Sequence, residues 1–288
     1  MKKQLLVVVI AAVALVLAAC NKGDAAPKAE DDKKVVIGVT GTDGEQWEVL
    51  KSLAKEEGID VELKEFSDYT LPNKALADGD VDLNSFQHIA FLSQFEQEHK
   101  TNLTPIGSTF IAPLGIYSTK ITDISEIKDG DKIAIPDDPS NQGRALRLLE
   151  AAGLLTLDAS AGLFGDTTHI KENPKNLEIL PMVAQQTPRV LEDVAVSLIN
   201  NGVAVQAGFH PLDDPIYIED GDSADPYINV FAAREANKDN EVLNRIVALY
   251  HDPKVIEAAN KELGGGAIVI DRTPQELAKI LTDLQGGN

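Results

Sequence analysis

From Lys34 onward, short apolar runs alternate with amphipathic stretches, and this alternation limits the fold more than any other feature of the chain. Lys34-Val35-Val36-Ile37-Gly38-Val39 has the character of a strand buried on both faces. Trp47, Leu50, Leu53 and Ala54 follow at helical spacing, and Gly58 is placed to stop that helix. Val61, Leu63 and Glu65 alternate with Glu62, Lys64 and Phe66 in a second strand. Val81 to Phe86 reads as a third, leading into an amphipathic stretch from Gln87 to His99. Lys132 to Ile135 is a strand closed by Pro136, and the next helix runs from about Ser140, read as its N-cap, to Gly153. Thr187-Pro188 marks a further helix start, and Tyr227 to Ala233 a strand. Helices are expected near 239–251, 253–262 and 273–285, the last opened by a capping box from Thr273 to Glu276. Strands alternating with helices specify an α/β protein with helix-covered, largely parallel sheets. The chain's 288 residues suit one large or two medium domains. Two lobes with a cleft between them are expected.

The first nineteen residues belong to a different kind of segment. Lys2 and Lys3 precede fifteen uncharged residues, Leu5 to Ala19, the arrangement of a secretory signal peptide. That run is short for a spanning helix, which needs about 20 apolar residues. The sole cysteine, Cys20, ends Leu17-Ala18-Ala19-Cys20 and looks like a bacterial lipobox, whose cysteine is lipidated and becomes the mature N-terminus. Residues 1–19 are read as the signal, Cys20 as the lipidation site and residues 20–33 as a flexible tether. Lipoprotein acyl chains anchor stably because two or more supply what one cannot. The expected location is the cell membrane, facing the extracytoplasmic side.

Charge and motif narrow the chemistry. Lys+Arg at 26 against Asp+Glu at 46 argues against nucleic acid as a partner. One cysteine permits no internal disulfide and no cysteine-based zinc site. Gly38, Gly41 and Gly44 follow the first strand with GxxGxxG spacing, which is not the dinucleotide fingerprint and fits a strand-to-helix turn. A helix start there is also a place for an anion. No P-loop, HExxH or GxSxG is present. The five histidines, His88, His99, His169, His210 and His251, show no paired-ligand spacing, and acidic pairs such as Asp137-Asp138 read as solvated turns. No catalytic residue, metal or cofactor is expected.

Two stretches carry more information. One is Phe66-Ser67-Asp68-Tyr69-Thr70-Leu71-Pro72-Asn73-Lys74-Ala75-Leu76 with Asp80-Val81-Asp82-Leu83-Asn84-Ser85-Phe86-Gln87-His88. The other is Ile135-Pro136-Asp137-Asp138-Pro139-Ser140-Asn141-Gln142-Gly143-Arg144-Ala145-Leu146. With Glu172-Asn173-Pro174-Lys175-Asn176-Leu177, Gln186-Thr187-Pro188-Arg189, Ile199-Asn200-Asn201 and Ala233-Arg234-Glu235-Ala236-Asn237-Lys238, they resemble the NlpA/MetQ lipoproteins from Val35 to about Gly266. Those are methionine-binding solute receptors of ABC importers. The resemblance implies a two-lobed type II periplasmic-binding fold with its ligand cleft between the lobes. Lobe I would comprise 34–114 and 229–288, and lobe II 115–228. The implied partners are methionine, L or D, or a related amino acid, and an ABC permease with its ATPase subunit.

A buried amino acid needs partners for its carboxylate, ammonium and side chain. Arg144 carries a planar fork suited to a carboxylate, and Asn141, three residues earlier on the same predicted helix, shares its face. Free N–H groups at that helix start would add to the anion site. Tyr69, Phe86, His88 and Phe91 are suited to walling a thioether pocket, with His88 donating as a neutral ring. Asn200 and Asn229 match the family's asparagines in the later half, and each amide can accept from an ammonium or donate to a carboxylate. The match departs where Phe91 stands for the family's usual Tyr and Val203 for a usual aromatic, and where Gly265-Gly266-Ala267 is not followed by Trp. Residues 271–288 extend past that motif. Another small amino acid, or a Met-containing dipeptide, on the same fold is the alternative these departures keep open; an envelope enzyme and an adhesin-like surface role are the others.

Overall fold

The computed structural model describes residues 33–41, 44–220, 225–265 and 268–286. The signal, Cys20 and most of the tether lie outside them. Among the described residues the main strands are β1 (Lys33–Val39), β2 (Ile59–Glu65), β3 (Leu83–His88), β4 (Leu103–Ser108), β5 (Gly115–Tyr117), β6 (Lys132–Pro136), β7 (Glu178–Met182), β8 (Val196–Ile199), β9 (Tyr217–Ile218) and β10 (Asn229–Arg234). The helices are α1 (Glu45–Glu56), α2 (Leu71–Asp78), α3 (Ile89–His99), α4 (Pro139–Ala151), α5 (Asn201–Gln206), α6 (Glu241–Tyr250), α7 (Pro253–Glu262) and α8 (Pro274–Gly286).

Two five-stranded sheets result, ordered β2-β1-β3-β10-β4 and β7-β6-β8-β5-β9, each the centre of one lobe. Both are mixed. β1 runs parallel to β3, whereas β10 is antiparallel to β3 and β4. β6 runs parallel to β7 and β8, while β5 is antiparallel to β8 and β9. The antiparallel members are the strands that enter or leave a lobe at the two crossings, after β4 and after β9. β10 thereby lays Asn229 directly opposite His88.

Each face of the first sheet has its own core. Ile37, Leu50, Phe231 and Ile246 fill one, with Trp47, Leu50 and Ala54 supplying the buried stripe of α1. Leu76, Leu92, Val230 and Leu277 fill the other, so α8, beyond the family motif, is packed into the body through Leu277 and Leu281. Ile116, Ile133, Leu146 and Leu198 centre the second lobe. A fourth cluster, Tyr117, Leu191, Ile199, Val203 and Ala204, belongs to the second lobe but receives Tyr69 from the first.

Several local readings are corrected. The cap of α4 is Asp138, not Ser140: its carboxylate accepts from the Asn141 N–H at 3.0 Å, and Pro139 takes the first helical position. The helix start therefore already holds an anion of the protein, which takes the Asn141 N–H. The Glu262 carboxylate stands against the start of α1, where a Cβ on Gly44 would lie 2.3 Å from its Oε2. Thr187-Pro188 lies inside a 3₁₀ segment, Ala184–Val190, whose turn the Thr187 hydroxyl tightens by donating to the Ala184 carbonyl. The third strand begins and ends two residues later than expected, so that His88 both ends β3 and caps α3.

Gly143 shows how closely α4 is seated. A Cβ there would lie 2.4 Å from the Leu163 carbonyl oxygen, a backbone atom with little room to retreat. Gly143→Ala gains about 1 kcal/mol of helix propensity, but overpacking costs about 1–3 kcal/mol. The substitution is expected to lower the urea midpoint. An unchanged or raised midpoint would mean that the 163–165 segment yields freely.

Candidate functional site

Between the lobes lies a cavity of about 410 Å³, within the range of small-molecule sites. Tyr69, Phe86, His88, Phe91, Asn141, Arg144, Asn200 and Asn229 all line it. Four elements deliver most of them. The β3–α3 junction brings Phe86, His88 and Phe91, the first turn of α4 brings Asn141 and then Arg144, the start of α5 brings Asn200, and the first residue of β10 is Asn229. Tyr69 comes from the turn before α2.

The aromatic wall is a triangle of rings. Tyr69, Phe86 and Phe91 stand 5.8 to 5.9 Å apart between centroids. His88 packs edge-on to Phe91 and to Tyr227, at 6.4 and 5.3 Å. Burial holds the Tyr69 hydroxyl protonated well above the usual phenol range, with the nearby Asp138 charge adding to it.

His88 is a neutral ring with a defined tautomer. Its Nδ1 accepts from the Phe91 N–H at 3.1 Å, so the proton sits on Nε2 and is donated to Asn141 Oδ1, also at 3.1 Å. Burial first, and the Arg144 charge second, push its pKa down to about 3. The Nε2–H that sequence reading offered to a ligand thus goes to Asn141, and the bond joins the lobes. A second interlobe bond runs from Gln206 Nε2 to the Thr40 carbonyl.

Both polar atoms of the Asn141 side chain are engaged within the protein. Its Oδ1 accepts from His88 and, at 2.7 Å, from Asn200 Nδ2; its Nδ2 donates to both oxygens of Asp138 at 3.0 Å. Asn200 keeps its Oδ1 without a protein partner among the described residues, and both polar atoms of Asn201 are likewise unpartnered, although each residue is at least nine-tenths buried. Gln46 Oε1 is a further buried acceptor of this kind on the cavity wall. Asn229 Nδ2 donates to the Phe110 carbonyl at 3.2 Å.

Arg144 is engaged on one edge. Its Nε lies 2.9 and 3.1 Å from the oxygens of Glu219, and Nη2 donates to Glu219 and to the Ala112 carbonyl. The guanidinium carbon stands 4.2 Å from the centre of the Tyr227 ring, inside cation–π range. Nη1 makes no hydrogen bond to the described protein. The fork expected for a ligand is thus held by a carboxylate of the protein, which leaves Nη1 as the guanidinium nitrogen without a protein partner among the described residues.

Glu219, Asp138, Tyr227 and Gln206 were not singled out as site residues. Glu219 had no signal, being 75 residues from Arg144. Asp138 had one, since Asp before Pro opens a helix. Among the described residues, no group of three or more His, Cys, Asp or Glu is placed to hold a metal, and no helix is long and apolar enough to cross a membrane.

Comparison with known proteins adds the lineage. The model of the NlpA lipoprotein family matches residues 35–270. The D-methionine-binding lipoprotein MetQ of Salmonella typhimurium strain LT2 is 43% identical over 258 residues, 88% of this chain and 93% of that protein. The crystal structure of protein PG110 from Staphylococcus aureus is 48% identical, with a TM-score of 0.84 over 87% of this chain and 99% of that one. A nutrient-binding protein from Burkholderia cenocepacia, solved bound to methionine, is 40% identical, with a TM-score of 0.77 over 82% and 98%.

The histidine gives a pH test. An unfolded His88 takes up a proton below about pH 6.5, and the folded one resists until about pH 3. Stability is therefore lost as pH falls through that window, by about 1.4 kcal/mol per unit, and is unaffected above it. His88→Asn retains an acceptor for the Phe91 N–H and removes the titration. Urea midpoints measured from pH 7 to 4 should fall less steeply for this variant than for the parent. Parallel slopes would mean that His88 charges within the fold.

Proposed function

Because the chain belongs to the NlpA lipoprotein family and has its two-lobed type II periplasmic-binding fold, we propose that it is the substrate-binding component of an ABC importer for methionine. The observation that carries this reading is the interlobe cavity itself. It joins an apolar aromatic wall to a cation edge and to unpartnered amide oxygens, the three kinds of surface a free amino acid requires. The Arg144 Nη1 edge takes the carboxylate, Asn200 and Asn229 serve the ammonium, and the Tyr69, Phe86 and Phe91 rings meet the thioether. Sulfur–aromatic contacts contribute about 0.3–1.5 kcal/mol each. Asn141 and His88 act behind these groups, as the frame that holds them. No step of this function breaks a covalent bond, and the protein is a receptor rather than an enzyme.

In this reading lobe I (34–114 and 229–288) and lobe II (115–228) close over the ligand about their two crossings, and the closed form is the one a permease and its ATPase subunit receive. Lipidation of Cys20 after loss of residues 1–19 tethers the receptor to the extracytoplasmic face of the membrane through residues 20–33. A second reading, a Met-containing dipeptide or another small amino acid, is favoured by one observation. The cavity runs on past the aromatic wall to Gly44, Tyr250 and Glu262.

Calorimetric titration of protein that has been unfolded and refolded decides between them, with L-methionine, D-methionine, the other amino acids and Met-containing dipeptides in the panel. Methionine is expected to bind, and Arg144→Lys, which keeps the charge but loses the planar edge, to weaken it about tenfold or more. Tight binding of a dipeptide with none of methionine would transfer the assignment to the second reading. An Arg144→Lys affinity within twofold of the parent would remove Arg144 from the ligand contact.

A further inference from the structure

Asp138 is half-buried, one residue behind the cavity wall formed by Asn141, and is a carboxylate without a cation among the described residues. Every hydrogen bond it receives among the described residues comes from a neutral donor: the Asn141 N–H, the Asn141 Nδ2 amide shared between both carboxylate oxygens, and the Ser140 hydroxyl at 2.8 Å. None of the ion pairs among those residues includes it. A carboxylate in this position raises the question of what offsets its charge, since an ion partly withdrawn from water without an opposite charge is costly.

The hydrogen bonds lead in one direction. Asp138 draws on Asn141 Nδ2, and Asn141 Oδ1 draws in turn on Asn200 Nδ2 at 2.7 Å. Each amide that donates to a negative group pushes electron density toward its own oxygen and becomes a better acceptor. The row ends at Asn200 Oδ1, on a residue that lines the cavity, with no partner in the described protein. The positive charge of Arg144 is matched on its other edge by Glu219. The negative charge of Asp138 has no such match.

We propose that Asp138 is a positioning residue for the ligand ammonium, acting through the two-amide relay Asp138–Asn141–Asn200 as its remote counter-charge. The ammonium donates to Asn200 Oδ1, and the relay makes that oxygen more negative than an isolated amide. This rests on the amino-acid-receptor reading given above and explains why an amide, rather than a carboxylate, meets the cation. A carboxylate at position 200 would lie close to the ligand's own carboxylate, whereas one set two amides back attracts the ammonium from a greater distance. Burial raises the pKa of Asp138, and a bound ammonium would return it toward the ordinary carboxylate range.

The test compares methionine with its deaminated analogue, γ-methylthiobutyrate, which keeps the carboxylate and thioether. Asp138→Asn preserves an N-cap and removes the charge. Methionine affinity is expected to fall about tenfold in this variant, the difference between a charge-assisted and a neutral hydrogen bond, while affinity for the analogue stays the same or rises. Equal losses for both ligands would reduce Asp138 to a structural cap, and no loss for either would overturn the relay. If Asp138→Asn shows no cooperative melt, Asp138→Ser, which also caps a helix, is measured in its place under the same criteria. Failure of the parent protein to bind methionine would instead count against the receptor reading, which keeps the two outcomes separate.

Discussion

Asn141 joins the lobes through a side chain whose oxygen and nitrogen are both hydrogen-bonded within the protein. Its nitrogen donates to the Asp138 carboxylate, and its oxygen receives His88 from one lobe and Asn200 from its own. An amide held at both its oxygen and its nitrogen is fixed in orientation; it receives the Nε2–H of the tautomer that the Phe91 N–H sets in His88, and it orients the Asn200 amide. The closeness of α4 to the loop at Leu163, which only a glycine at position 143 allows, fixes where that amide stands. The geometry of the cavity wall is in this sense downstream of one residue on one helix.

The charges around the cavity are arranged in an unequal way. Arg144 is matched by Glu219 and covered by Tyr227, so its guanidinium is oriented before any ligand arrives. Breaking such a pair by removing one member costs about 3–5 kcal/mol, because the other is left buried. His88, which would add a second cation, is kept neutral by its burial and by Arg144 itself. Around Arg144 the wall thus presents an oriented cation and a set of neutral amides to a ligand that carries both signs of charge, while Glu45, Lys261 and Glu262 also line the cavity.

Much of this was legible in residue order, and the reasons differ from place to place. Asn141 and Arg144 fall on one helix face because they are three apart, which is a local fact and readable. The aromatic junction was readable for the same reason, with Phe86, His88 and Phe91 contiguous at a strand end. Their division of labour was not. Whether Asn141 faces a ligand or carries other side chains depends on Asp138 and Asn200, and whether Arg144 has two free edges or one depends on Glu219; those partners meet it only through tertiary packing. The cap at Asp138 was masked by a second good candidate, Ser140, two residues on. Sheet polarity was read as largely parallel because apolar runs separated by helices imply crossovers. The antiparallel strands arise where the chain crosses between lobes, and no local pattern marks those points.

The placement of β10 bears on the order in which the protein can assemble. This strand lies between β3 and β4, well inside the first sheet, yet it is made from residues 229–234. Every strand of the second sheet lies between residues 115 and 218, an uninterrupted stretch. During synthesis the second sheet has all its strands while the first still has a gap at its middle, with β3 and β4 each lacking a neighbour. The contacts that close this gap span more than a hundred residues, as Asn229 opposite His88 illustrates, and contacts of that separation are slow to form. The lobe that begins the folded body is therefore the one completed last.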